Sequence, residues 1–164
     1  MPYKLTFRAG MTALALIMAA PLAAQAETLT IGVRAGPDSI DPHWSTLGSQ
    51  AEALRHVFDT LVGVDNNVQL QPAIAESWTP VDDTTWEFKI RQGVKFHNGE
   101  DLTAEDVKFS IERIPVVTGP MSMTIYTKRV ESVEVVDDYT LHVKTNGTAP
   151  SLPNDLVRLF IVPK

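Results

Sequence analysis

The chain has 164 residues, 14 Lys+Arg against 20 Asp+Glu, a formal charge of −6 and no Cys. An acidic chain lacks the basic face that a nucleic-acid binder needs. Without Cys there is no disulfide scaffold, no Cys-ligated zinc or iron–sulfur site and no Cys nucleophile. Charged residues at 21% and apolar residues at 44% are those of a globular chain, not a disordered one.

The first stretch carries Lys4 and Arg8, then the apolar run Met11 to Ala20, then Pro21 and the small-x-small site Ala24-Gln25-Ala26. That order predicts a secretory signal peptide over 1–26, cleaved after Ala26. The apolar run falls short of the roughly 20 residues that a transmembrane helix needs. A buried N-terminal helix is the alternative, and it would not require the three parts in this order. The cleavage point has no Cys to carry a lipid anchor, so the sequence predicts a product released soluble into a Gram-negative periplasm.

Leu29 to Val33 predicts a short strand. Arg34 to Leu47 predicts a loop, punctuated by Gly36-Pro37 and Asp41-Pro42. Ser49 with Glu52 three residues on suggests a capping box, and Leu54, Val57, Phe58 and Leu61 follow at helical spacing, so a helix is expected over 50–62 with Gly63 at its end. His56 is expected to pack beside that apolar face. Asp65-Asn66-Asn67 marks a turn, and Pro72 to Trp78 is a short mixed segment. Trp86, Phe88 and Ile90 alternate with Glu87, Lys89 and Arg91, a strand with one wet face, and Val94 and Phe96 resume the alternation after Gly93. Asn98-Gly99 is a strong turn signal.

Thr103 with Asp106 at N3 opens the clearest helix. Ala104, Val107, Ile111 and Ile114 form its apolar stripe and Pro115 stops it. Val133 and Val135, then Tyr139, Leu141 and Val143, alternate on either side of Asp137-Asp138 and predict a hairpin. Pro150 and Pro153 flank a short helical stretch near Asp155 to Leu159. There is no internal repeat. The order of elements gives an α/β chain of the mixed α+β kind, without strict βαβ alternation.

Catalytic motifs are missing. The sequence has no G-x-S-x-G, no phosphate-binding glycine loop, no dinucleotide fingerprint and no H-E-x-x-H. His43, His56, His97 and His142 have no metal-ligand spacing, so neither a metal nor a cofactor is expected, and the chain reads as a non-enzyme. His97 beside Asn98-Gly99 reads as a turn residue. Trp78 and Trp86 read as core or domain-interface aromatics, with a ligand-lining role as the alternative. Asn146-Gly147-Thr148 fits a glycosylation sequon that a bacterial periplasmic chain would not use.

Phe88 to Gly99 (FKIRQGVKFHNG) and Leu102 to Arg113 (LTAEDVKFSIER), with Pro72 to Trp78 (PAIAESW) and Ser39 to His43 (SIDPH), resemble the extracellular solute-binding protein family 5. Those are periplasmic receptors of ABC transporters for peptides and nickel. The resemblance runs from about Leu29 to Lys164. It implies a type II periplasmic-binding-protein-like fold, here only the first strand of domain I plus most of the small domain II. The domains expected on that basis are 27–43 as strand and cleft loop of domain I, 44–150 as domain II, and 151–164 as the return toward domain I. Family members are several times longer, so the resemblance implies an N-terminal fragment.

Most of the signature residues read as structural: Phe88, Ile90, Val94 and Phe96 as strand core, Thr103 and Asp106 as cap, Val107 and Ile111 as packing. The resemblance places Gly36, Pro37, Asp38, Ser39, Ile40, Asp41, Pro42 and His43 at the ligand cleft. The function it implies is capture of di- or oligopeptides, or a related small solute, and delivery to an ABC permease in the inner membrane. The partners are then the ligand and the permease, with no nucleic acid. The alternative is an inert or split fragment that acts only with a separately encoded lobe. A small periplasmic hydrolase is a third class, and it lacks a nucleophile–base or metal motif.

Overall fold

The computed structural model describes residues 28–32 and 35–164. The signal peptide over 1–26 lies outside the described residues, as does Val33. Thr28 to Gly32 carry no helix or strand, so the strand expected at Leu29–Val33 is not formed in its described part. The partner strand that would fix such a run by satisfying its backbone N–H and C=O groups is not found among the described residues.

The body of the chain starts with α1 (Gly48–Leu54) and a two-stranded antiparallel hairpin, β1 (Val62–Val64) and β2 (Leu70–Pro72). A four-stranded antiparallel sheet follows, built from β3 (Ala75–Asp82), β4 (Thr85–Ile90), β5 (Val130–Asp137) and β6 (Thr140–Thr145) in the order β3-β4-β6-β5. Between β4 and β5 lie α2 (Ala104–Arg113), a 3₁₀ turn (Ile114–Val116) and α3 (Thr124–Thr127). After β6 come α4 (Leu152–Asp155), a 3₁₀ turn (Leu156–Arg158) and the return segment Leu159–Lys164. The mixed α/β class holds.

Period-two alternation puts Phe88 and Ile90 of β4, Leu141 and Val143 of β6 and Val133 of β5 into one buried layer. On the opposite face Glu87 Oε2 lies 3.2 Å from His142 Nε2 of the neighbouring strand. The apolar stripe of α2 covers the buried layer: Ala104, Val107 and Ile111 are buried, and Ile114 follows them. Burying each large apolar side chain is worth about 1.5–3 kcal/mol, so this interface dominates the stability of the sheet. Lys108 adds a tie, donating from Nζ to the Val133 carbonyl at 2.8 Å. Leu152, Leu156 and Leu159 close the core from the other end.

Four local turn and cap signals form as expected. Asp106 Oδ2 accepts from the Thr103 backbone N–H at 2.9 Å and from its hydroxyl at 3.0 Å, closing the acidic capping box of α2. Asp65 Oδ1 accepts from the amides of Asn67 and Gln69, both at 2.8 Å, and makes the β1–β2 turn. Gly99 sits at φ 90 in the turn that pairs Lys95 with Asp101. Asp137 Oδ1 accepts from the Tyr139 amide in the β5–β6 turn.

Several expectations are corrected. The helix expected over 50–62 is Gly48–Leu54, and its N-cap is Leu47 with no side-chain cap, so the Ser49/Glu52 capping box is not formed. The helix ends early because the following chain joins a distant segment: the Leu61 amide donates to the Leu159 carbonyl at 2.9 Å and that of Ile161 to the Asp59 carbonyl at 3.0 Å. Phe58 instead meets Phe160 edge to face, with ring centroids 6.4 Å apart. Gly63 is inside β1, not at a helix end, and a Cβ there would sit 3.3 Å from the Gln71 carbonyl oxygen. His56 is exposed and does not pack. Val94 and Phe96 do not continue β4, because Gly93 at φ 75 turns the chain out of the sheet. The mixed segment from Pro72 hides β3, an edge strand that tolerates Pro80 because no strand pairs on its outer side. The last helical stretch begins at Leu152, with Pro153 inside its first turn, where a missing N–H costs nothing.

Candidate functional site

The loop before α1 is tied together by its own short side chains. Ser39 Oγ accepts from the Asp41 amide at 3.0 Å, and Asp41 Oδ1 accepts from the His43 amide at 2.9 Å. The Trp44 amide and the Gln50 side-chain NH₂ both donate to the Asp41 carbonyl, at 3.2 and 3.1 Å.

Three long-range contacts then fasten this loop to the body. Arg113, the last residue of α2, forks onto Asp41: Nη1 donates to Oδ1 at 2.9 Å and Nη2 to Oδ2 at 2.5 Å. The same Nη1 lies 3.0 Å from His43 Nδ1. On the far side of the ring, His43 Nε2 is 2.9 Å from the Phe160 carbonyl. Arg113 suits the carbonyl end of α2, where a cation meets the negative end of the helix dipole. The fork holds the Asp41 carboxyl below its ordinary range, against the opposing effect of burial, and raises Arg113 in turn. His43 is 1% exposed, and burial lowers its pKa against the opposing pull of the Phe160 carbonyl.

The residues expected at a ligand cleft therefore divide. Gly36, Pro37, Asp38 and Ile40 are exposed and Ser39 is half-buried. Pro42 and His43 are buried, and both carboxylate oxygens of Asp41 and both ring nitrogens of His43 are already hydrogen-bonded within the chain. The structure brings Asp41 and His43 together with Arg113 and Phe160, residues that the sequence does not single out. Arg113 shows in the sequence only as the end of a capped helix and the last residue of the LTAEDVKFSIER motif.

A second feature is a cavity of about 310 Å³ lined in part by Val94 to Asn98. Its floor is Ile74, Leu102 and Ile161, and His97 and Asn98 stand at its edge. His97, read as a turn residue, is exposed there. Trp78 and Trp86 pack on the main core, and Trp86 Nε1–H donates to the Ala149 carbonyl at 3.2 Å. Among the described residues no group of three or more His, Asp or Glu could hold a metal ion.

The antiparallel sheet, the capped helix and the pinned entry loop together are part of the fold of bacterial solute-binding proteins. The family model described as Bacterial extracellular solute-binding proteins, family 5 Middle matches residues 69–164, more than half of the chain. The chain belongs to this family. It is 31% identical over 140 residues to the periplasmic oligopeptide-binding protein OppA of Haemophilus influenzae, covering 74% of this chain and 26% of that protein. It is 27% identical over 139 residues to the glutathione-binding protein GsiB of Shigella dysenteriae, covering 83% of this chain and 27% of that protein. Among solved structures, OppA of Burkholderia pseudomallei superposes with a TM-score of 0.73 at 25% identity, over 80% of this chain and 29% of that one. The chain thus spans about a quarter of the length of the curated relatives it matches.

Proposed function

We propose that the chain serves a periplasmic receptor of an ABC importer, receives a peptide or peptide-like solute at the exposed Gly36–Ile40 loop, and hands it to a permease in the inner membrane. The observation that carries this reading is the family match over residues 69–164, joined to relatives named for oligopeptides and for glutathione, itself a tripeptide. The division within the loop supports the placement. Asp41, Pro42 and His43 form its root, while the backbone groups of Gly36 to Ile40 and the Asp38 carboxylate stay open to a polar ligand. On this reading the chain performs no chemical step, and the leader over 1–26 sends it to the periplasm.

Calorimetric titration with tri-alanine and with reduced glutathione tests the proposal. Saturable heat that weakens when Gly36→Pro is introduced supports it. No heat from either peptide up to millimolar concentrations overturns it for the chain acting alone.

A second reading has its own observation, the quarter-length match. In it the chain acts only after assembly with a separately encoded lobe. Peptide binding that emerges only when that lobe is co-expressed would favour it.

A further inference from the structure

The contact between His43 and Arg113 carries a protonation requirement. A guanidinium has only donors. Arg113 Nη1 at 3.0 Å therefore makes His43 Nδ1 the acceptor. In a neutral imidazole the one ring proton then sits on Nε2 and is donated to the Phe160 carbonyl at 2.9 Å. The neutral ring satisfies both neighbours at once. A second proton has one place to go, Nδ1, where it would point at the guanidinium and displace it.

We propose that Asp41, His43 and Arg113 are positioning residues that hold the Gly36–Ile40 loop, and that protonation of His43 at mildly acidic pH unlatches the loop from α2. The groups that face the ring come from three elements. Arg113 of α2 stands at Nδ1 and opposes the second proton. The Phe160 carbonyl of the return segment accepts at Nε2 in either protonation state. Asp41, on the ring's own loop, attracts the proton, but its carboxylate is already shared with the Arg113 fork. Gln50 of α1 donates to the Asp41 carbonyl at 3.1 Å. Burial adds to the opposition from Arg113. The consequence for solute capture rests on the reading of Gly36–Ile40 as the solute-facing loop. The latch itself does not.

The test is an NMR titration of the full chain without solute, from about pH 8 to about pH 5, following the His43 ring and the amides of 36–43 and 159–162. The proposal expects the Nε2–H tautomer at high pH. It also expects one shared midpoint for the ring and the two sets of amides, below the ordinary His value of 6.5. His43→Gln should flatten the response of the amides. Loop amides that titrate unchanged in His43→Gln, or a ring that titrates while the loop amides stay still, would overturn it. Should His43→Gln fail to fold, Arg113→Gln decides: removing the cation should raise the His43 midpoint, and an unmoved midpoint sinks the latch. Since no solute is present, these outcomes are separate from the peptide titration.

Discussion

Ser110 and Val162, 52 positions apart, share one hydroxyl: the Val162 amide donates to Ser110 Oγ at 2.9 Å, and that hydroxyl donates to the Asp106 carbonyl at 2.7 Å. Both residues are buried. The next N–H in the chain, that of Lys164 after Pro163, donates to Asp106 Oδ1 at 3.0 Å. A single turn of α2 thus caps its own start and receives the return segment. Ser110→Ala leaves the Val162 amide buried without a partner. It should cost about 1–3 kcal/mol, read as a lower urea midpoint with an unchanged slope.

Asp106 does two jobs, so its loss should exceed that of an ordinary cap. Asp106→Ala removes acceptors for Thr103 and for Lys164 together. Cap loss alone costs about 0.5–2 kcal/mol. Thr103→Ala, which leaves the Lys164 contact in place, should be the milder of the two in the same denaturation series.

Leu159 is fully buried, and its carbonyl receives the Leu61 amide. Leu159→Ala should open a cavity and cost about 2–5 kcal/mol, while Val116→Ala, at an exposed position of the 3₁₀ turn after α2, should stay within about 0.5 kcal/mol. Thermal unfolding of the two variants side by side checks the contrast.

Stability should fall in two stages on acidification. Burial lowers His43, so the unfolded chain takes up that proton first. The His43 contribution is complete above its ordinary value of 6.5 and is lost as pH falls toward the folded value. Asp41 is lowered by the Arg113 fork, so its contribution is complete above its ordinary value of 3.8 and is lost as pH falls through the lower folded value. Urea midpoints should be flat near neutrality, decline below about pH 6.5 and decline again below about pH 4. His43→Gln should remove the first decline and keep the second.

Arg113→Leu leaves the Asp41 carboxylate and His43 Nδ1 without their shared donor. Hydrogen bonds to charged groups are worth about 1.5–3 kcal/mol, and the pair is about a quarter exposed, so a loss near about 1–2 kcal/mol is expected. Protease cleavage between residues 35 and 43 should quicken in this variant while the sheet stays protected.

The parts of this fold that the sequence announces are those settled within a few residues. Thr103 and Asp106 cap each other locally, Asp65 builds its own turn, and the alternation of Trp86, Phe88 and Ile90 needs no distant partner to be read. Long-range pairing decided the misses. Leu54 to Leu61 keep helical spacing, yet the amide of Leu61 is claimed by Leu159, and β3 carries a Pro that only its edge position permits. The loop Gly36 to His43 stood out by its Gly-Pro and Asp-Pro pairs, but which of its residues anchor it and which face solvent depends on Arg113, 72 positions from Asp41. No spacing rule reports a contact of that range.

The most direct measurement is an amide chemical-shift map of the full chain with and without tri-alanine. The account predicts perturbations centred on residues 36–40, with 94–98 around the apolar cavity unmoved. Shifts centred on Phe96 and His97, or none anywhere at saturating peptide, would contradict it.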